Sequence, residues 1–280
     1  MACERPDPCG RSLSQWDCVQ IAEELVRQGV VTSIGRESVR LRLQRNRLKP
    51  WRYKMWLSAK VPRDAAFAAR VRQICALYTR PLAEDEKVIC LDENTNLQPR
   101  PRLSPTLAAQ ADQPVRVEHE YKRAGALNLL AAFDTRTGEV WGSTAERKRQ
   151  VELIAFLNQL DAHIPASFRH IYVVLDNVRM HTGKQVQEWL ARHPRFVWIH
   201  PPVHCSWMNQ VEQWFGLLKR QRLRIVDFAS KADLAARIAT FIAQWNERAH
   251  PFRWTTKSFD KILAKCPQSE LVKADFALVA

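Results

Sequence analysis

No apolar stretch in the 280 residues is long enough to cross a bilayer. The longest runs, such as Leu129–Phe133 and Ile171–Leu175, fall far short of the roughly 20 residues a helical span needs. The opening MACERPDPCG is polar and charged and has no apolar segment of the kind a signal peptide carries. Seven cysteines (Cys3, Cys9, Cys18, Cys75, Cys90, Cys205, Cys266) form no CxxC pair and no Cys/His ladder, so nothing points to structural zinc. A chain this long, with 46% apolar residues, can bury a core without disulfides. Internal repeats and low-complexity tracts are missing as well. The expectation is a soluble cytoplasmic protein with reduced thiols and no membrane partner.

Acidic residues are scarce too. Lys and Arg number 43 against 29 Asp and Glu, a formal net charge of +14. A surplus of that size repels itself, and a polyanionic partner is the commonest reason for it. Ribosomal and membrane-surface proteins are also basic, so charge alone does not choose among these classes.

The basic residues are concentrated. Between positions 36 and 63 lie Arg36, Arg40, Arg42, Arg45 and six further Lys or Arg, against the single acid Glu37. Upstream, Ser14 is placed to cap a helix whose apolar positions Val19, Ala22, Leu25 and Val26 recur at helical spacing, ended by Gly29. After the turn at 30–33, a second helix is predicted over 36–45 with Val39 and Leu43 inward. Helix, tight turn and Arg-rich helix is the pattern of a helix-turn-helix domain, here residues 10–60. Arg36 and Arg40, one turn apart, could reach phosphates or guanine edges. The plain alternative is a helical hairpin with a solvated basic face. Trp51, Tyr53 and Trp56 interleave with Arg52 and Lys54 and could stack on DNA, though packing is their more ordinary use.

Residues 64–79 read as a connecting helix within a linker of 61–84, closed by Pro81 and the acidic AEDE. A different pattern follows over 85–265, with a short tail at 266–280. Lys87–Asp92 is a predicted buried strand. Ala126–Phe133 and Glu139–Gly142 form a hairpin around DTRTG. An amphipathic helix over 147–160 uses Val151, Ile154, Leu157 and Leu160. Ile171–Asp176 and Phe196–Ile199 are further strands, with helices through Val186 and Leu190, at about 207–222, and at about 231–247. A meander followed by alternating strands and helices implies a mixed α/β sheet covered by helices.

Two strands end alike, VICLDE at Asp92 and YVVLDN at Asp176. Open α/β sheets bind ligands at the carboxyl ends of neighbouring strands, so the two carboxylates converge if these strands are adjacent. Glu212 lies on the helix opening WMNQVEQWF, two turns before Lys219. Clustered carboxylates repel and are costly to desolvate, and a cation relieves both problems. All-oxygen ligands select Mg2+ or Mn2+. Each residue alone has an ordinary reading, a turn residue for either Asp and an exposed helical acid for Glu212.

Taken together, LDENTNLQ (91–98), EYKRAG (120–125), LDNVRMHTGK (175–184), HPPVHCSWMNQVEQWF (200–215) and HPFRW (250–254) resemble the bacterial insertion-sequence transposases related to Tc and mariner elements. That group belongs to the DDE superfamily, whose catalytic core is RNase H-like. The resemblance covers nearly the whole chain. It implies an RNase H-like mixed sheet with helices on both faces, preceded by a small all-α helix-turn-helix domain. It also implies that Asp92, Asp176 and Glu212 are the catalytic metal ligands for two Mg2+ ions, with Mn2+ as a substitute. Asn177, His181 and Asn209 match motif residues near the site. The implied activity is a hydrolytic nick at a transposon end followed by joining of the freed 3′-hydroxyl to target DNA. Double-stranded DNA is then the partner, for the terminal inverted repeats and for the target. A homodimer in the DNA complex and a place at the bacterial nucleoid also follow. Arg36, Arg40, Arg42, Arg45, Lys219 and Arg220 are the expected DNA contacts. Members of the group carry two helix-turn-helix units in tandem. This chain has room for one, so the expectation includes an N-terminally truncated copy.

Two other classes compete. A non-catalytic DNA-binding regulator would have no need of three clustered acids. An RNase H-like nuclease that cleaves without rejoining would have less use for the helix-turn-helix and the basic run Lys219, Arg220, Arg222 and Arg224. The pair His204–Cys205 lacks an adjacent Asn or Asp to orient a thiol nucleophile, and the scattered His119, His163, His170 and His193 form no ligand set. Asp134 opens the DTRTG turn, where Asp is favoured for its own backbone hydrogen bonds.

Overall fold

The computed structural model describes residues 2–10, 12–52, 62–225 and 227–267. Tyr53, Lys54 and Trp56, and most of the predicted tail, fall outside them. The chain divides into two compact units, Met1–Lys60 and Val61–Ala280.

In the first unit, α1 (Cys18–Arg27) and α2 (Arg36–Arg45) are the two expected helices. The cap differs from expectation. Asp17, not Ser14, begins α1: its Oδ1 accepts from Gln20 N at 2.8 Å while Gln20 Oε1 accepts from Asp17 N at 3.1 Å, a reciprocal capping box. The inward face differs in part, with Ala22 and Leu25 packed inward as expected. Trp16 packs against the hairpin with Ile21, Ala22, Val39 and Leu43, whereas Val19 and Val26 are exposed. Helical spacing fixes a stripe's period but not its phase. Here an aromatic residue before the helix selected the neighbouring stripe.

In the second unit α3 (Ala65–Thr79), capped by Asp64, leads into the sheet. Its strands are β1 (Glu86–Leu97), β2 (Leu127–Asp134), β3 (Val140–Ala145), β4 (His170–Val174) and β5 (Phe196–Ile199), in the order β3-β2-β1-β4-β5. β2 runs antiparallel to β1 and β3, while β4 is parallel to β1 and β5. The helices are α4 (Gln150–His163), α5 (Arg179–Thr182), α6 (Lys184–Arg192), α7 (Val211–Gln221), α8 (Lys231–Asn246) and α9 (Lys257–Leu263).

Side chains alternate across the pleat, so each strand feeds two cores. Val88 and Cys90 of β1 join Val71 and Ile74 of α3, Trp214 and Leu218 of α7, and Leu234 and Ile238 of α8. Ile89 and Leu91 join Leu153 and Leu157 of α4, and Val186 and Trp189 of α6. Helices therefore cover both faces of a mixed sheet.

Several boundaries move. β1 continues five residues past Asp92, still paired with β2, and shifts register between Asn94 and Leu97. β4 stops at Val174, two residues short of Asp176. The helix expected over 147–160 starts at Gln150 and buries Leu153 and Phe156, leaving Val151 exposed. The helix expected from 207 begins at Val211, after a 3-10 turn at Ser206–Met208. α5 and α9 were not anticipated, being too short for periodicity to register.

The DTRTG turn is fixed from outside. Gly138 has φ +78°, and a Cβ there would lie 2.1 Å from the His250 backbone. The HPFRW segment thus passes directly over the turn, with Phe252 stacked on Phe133 at 4.8 Å and Trp254 edge-on to Tyr78 at 5.2 Å.

Candidate functional site

The parallel ladder between β1 and β4 ends at Cys90 opposite Val174. Two residues further along each chain come Asp92 and Asp176. β1 continues beside β2, but its other edge is open from this point because β4 has ended. Asp92 therefore sits inside a strand, at the place where its parallel neighbour leaves off. Glu212 is in the first turn of α7, whose Val211 and Phe215 are packed into the core on the Cys90 side of the sheet.

The three carboxylates differ in exposure. Asp92 is buried, Asp176 intermediate and Glu212 exposed, so the cluster opens from the sheet toward solvent. Burial, with the charges of Glu93, Asp176 and Glu212, pushes Asp92 up to about 7, although the Glu93 backbone N–H, 2.8 Å from Asp92 Oδ1, opposes the shift. Burial and the Asp176 charge raise Glu212 against a hydrogen bond with Asp92. The acids are thus close enough to feel one another's charge.

Asn209 precedes α7 and is buried. Its Nδ2 donates to Leu91 O at 2.9 Å and to Asp92 Oδ2 at 3.4 Å, tying the start of α7 to β1.

His181, on α5 and fully buried, holds Asp176. Its Nδ1 lies 2.9 Å from the Asp176 carbonyl oxygen in hydrogen-bond geometry, and 2.8 Å from Asp176 Oδ1 as an ion-pair contact. Burial raises Asp176, but the hydrogen bond and charge of His181, with Lys148 behind, outweigh it and hold the carboxyl low. His181 Nε2 is 2.6 Å from Glu93 Oε1, and Glu93 Oε2 is 2.9 Å from Lys148 Nζ. Burial lowers His181, yet the hydrogen bonds to Asp176 and Glu93 and the Glu93 charge carry it to about 10.

Glu93 and Lys148 were not singled out in the sequence. The doublet Asp92–Glu93 held the signal, since adjacent strand residues point to opposite faces and Glu93 could not line the same side as Asp92. Asn177 is exposed beside Asp176. Lys219 and Arg220 are exposed on α7, and Lys219 lines a cavity of about 350 Å³ with Asn94, Asn96, Arg100 and Arg224. Arg36, Arg40, Arg42 and Arg45 belong to the other unit and are all exposed. Arg40 is held by Glu37 within α2, with Nη2 2.6 Å from Oε1.

Other candidates fall away. Asp134 is spent on structure: its Oδ1 accepts from Arg136 N and Thr137 N, and its Oδ2 pairs with Lys87 Nζ. The Cys205 thiol is buried, and burial raises it, the reverse of what a thiolate nucleophile needs.

Among the described residues, no three His, Cys, Asp or Glu side chains already close around a single ion position. The chemistry of the donor set nevertheless fits a hard divalent cation. All three acids offer oxygen, burial and then its neighbours' negative charge push Asp92 up, and the buried Asn209 Oδ1 receives no hydrogen bond.

Comparison with known proteins bears on family and fold. Residues 87–235, more than half of the chain, match the family described as DDE superfamily endonuclease. Over 124 residues the chain is 28% identical to the insertion element IS630 uncharacterized 39 kDa protein of Shigella sonnei. That alignment covers 44% of this chain and 35% of the relative, about a third of its length. Among solved structures, the Mos1 mariner paired end complex with Mn matches with a TM-score of 0.54 at 15% identity, covering 85% of this chain and 69% of that one. At that identity the likeness speaks for the fold, which is RNase H-like. Among the described residues no helix is long and apolar enough to cross a membrane. By family match over residues 87–235, the chain belongs to the DDE superfamily of endonucleases.

Proposed function

We propose that the protein is a DNA transposase that cleaves a transposon end and joins the freed 3′-hydroxyl to target DNA. Asp92, Asp176 and Glu212 are its catalytic residues and hold two divalent ions, Mg2+ with Mn2+ as a substitute. The observation that carries this reading is the convergence of the three acids at the edge of β1 where β4 ends, with Asp92 pushed up to about 7 by burial and then by the charges of Glu93, Asp176 and Glu212. A cluster that resists being fully ionised without a cation is what a cation site looks like before it is filled.

Ions held there would lower the pKa of the attacking hydroxyl and stabilise the leaving oxygen of an in-line displacement. The chain does the rest. Asn209 fixes Asp92, His181 fixes Asp176, and α7 carries Glu212 to them. Lys219 and Arg220, on the same helix, neutralise phosphates of the bound strand. In the first step water attacks phosphorus, leaving a 3′-hydroxyl on the element and a 5′-phosphate on the flank. In the second, that 3′-hydroxyl attacks a target phosphodiester and expels a target 3′-hydroxyl. Water thus breaks one phosphodiester in the first step, the second step breaks one and makes one, and no covalent enzyme intermediate is needed.

Residues 10–60 serve as the DNA-reading domain through Arg36, Arg40, Arg42 and Arg45, 61–84 as the connection, and 85–265 as the catalytic domain. Joining two ends calls for two copies of the chain on the DNA. The test compares wild type with Asp92→Asn, Asp176→Asn and Glu212→Gln on duplex DNA carrying the element's end. Each variant should lose Mg2+-dependent strand cleavage while binding the duplex about as tightly as wild type. Undiminished cleavage by any one variant removes that residue from the site.

A further inference from the structure

From the face of β1 opposite Asp92 a chain of alternating charge leads to the site, Lys148, Glu93, His181, Asp176, with its middle pair buried and both ends partly exposed. Glu93 is the only one of the four that sits in the sheet. Its side chain is 1% exposed, and it touches Lys148 with one oxygen and His181 with the other. The His181 side chain is fully buried and meets acceptors on both ring nitrogens. An imidazole in that position is fixed in place and cannot rotate without losing a partner on each side. Its partner Asp176 lies beyond the end of β4, outside the ladder that fixes the residues before it.

That placement creates a need. β1 hydrogen-bonds β2 through Asp92 and beyond, so Asp92 has a rigid backbone. Asp176 has none from the sheet, and its side chain is 37% exposed. The side chain that orients it is His181, through the carbonyl oxygen and Oδ1 together, beside a backbone hydrogen bond from Val178.

We propose that Glu93 is a positioning residue, which anchors His181 to β1 and thereby fixes the Asp176 carboxylate for cation binding, with Lys148 holding Glu93 from the far side. This rests on the reading of Asp176 as a metal ligand and adds the group that sets its orientation. Glu93 touches neither DNA nor ion. It transfers the rigidity of the β1–β2 ladder across to a residue the sheet does not reach. Partners one bond removed from a metal ligand typically contribute 10- to 100-fold in metal affinity.

The experiment measures Mn2+ affinity of the full chain without DNA, by the loss of the free-ion paramagnetic resonance signal, alongside thermal melting without metal. The variants are Glu93→Gln, His181→Gln, the double variant and Asp176→Asn. Glu93→Gln keeps the shape and removes the charge. The expected result is a loss of about tenfold in Mn2+ affinity for either single variant. The double variant should lose no more than about tenfold, because both substitutions break one pathway. Losses that multiply in the double variant would show that Glu93 does not act through His181. Unchanged affinity in Glu93→Gln, with affinity lost in Asp176→Asn, would overturn the proposal and leave the metal reading intact. Unchanged affinity in Asp176→Asn would overturn both. Should Glu93→Gln fail to fold, Lys148→Met probes the same chain from its exposed end. It should weaken Mn2+ binding severalfold, and unchanged affinity there would again overturn the proposal.

Discussion

Replacing Asp92 by Asn in the metal-free protein should stabilise it at high pH and leave it nearly unchanged at low pH. Burial and three neighbouring acids raise this carboxyl from an ordinary value near 3.9 to about 7. A group whose folded pKa lies above its unfolded one favours the folded state in full below the unfolded value. That contribution is lost as pH rises through the folded value. At 1.36 kcal/mol per pH unit, the interval from about 3.9 to about 7 is worth about 4 kcal/mol, a ceiling that relaxation and entering water reduce. Asn carries no proton to lose, so it escapes this penalty. Urea unfolding in chelator, run on both proteins from pH 4 to pH 8.5, gives the difference directly. It should grow by up to about 1.4 kcal/mol per pH unit to pH 7 and then level off. Adding Mg2+ at pH 8 should restore wild type much more than the variant, because a cation binding only the folded state stabilises it by mass action. Stability profiles that run parallel from pH 4 to 8.5 would mean that Asp92 is not a strained carboxylate, and the electrostatic argument for a cation site would fail.

Other consequences can be checked separately. Arg36→Ala with Arg40→Ala should weaken binding to the element's end and reduce the slope of log affinity against log salt by about 2, since each lost phosphate contact removes about 0.9. An unchanged slope would show that α2 does not touch DNA. The exposed Arg40–Glu37 pair is worth little to stability, so the melting temperature should hold. Gly138→Ala combines a left-handed backbone with a 2.1 Å approach to His250 and should cost roughly 2–4 kcal/mol in unfolding free energy, read by urea denaturation. Metal affinity should also fall below pH 7, by up to about tenfold per pH unit, as the proton on Asp92 competes with the ion. A flat affinity from pH 5 to 8 would contradict that competition.

Much of this arrangement was legible in residue order, and what was not has identifiable physical causes. Apolar runs ending in Asp marked both strands, and Phe196–Ile199 was bounded correctly because Pro194 and Pro201 flank a short hydrophobic run. The extension of β1 past Asp92 was invisible, because ENTNL carries little strand propensity and is held by pairing with β2. Of the apolar stripe expected on α1, Ala22 and Leu25 pack inward while Val19 and Val26 do not, since Trp16 before the helix shifts the buried face. Of the site, the three acids and the neighbours His181 and Asn209 stood out through their motifs. Glu93 did not, although it is adjacent to Asp92 in the chain. Its role depends on Lys148 and His181, which are 55 and 88 residues away and reach it only through the folded sheet.

A duplex bearing the element's terminal repeat with a pre-formed 3′-hydroxyl, incubated with plasmid target and Mg2+, isolates the joining step from cleavage. Wild-type protein should covalently attach the labelled 3′ end to the plasmid. Asp92→Asn, Asp176→Asn and Glu212→Gln should give no joined product at equal DNA occupancy. Nicked plasmid without attached label would reduce the protein to a nuclease. Joining by any of the three variants at the wild-type rate would contradict the assignment of the carboxylates as its catalytic centre.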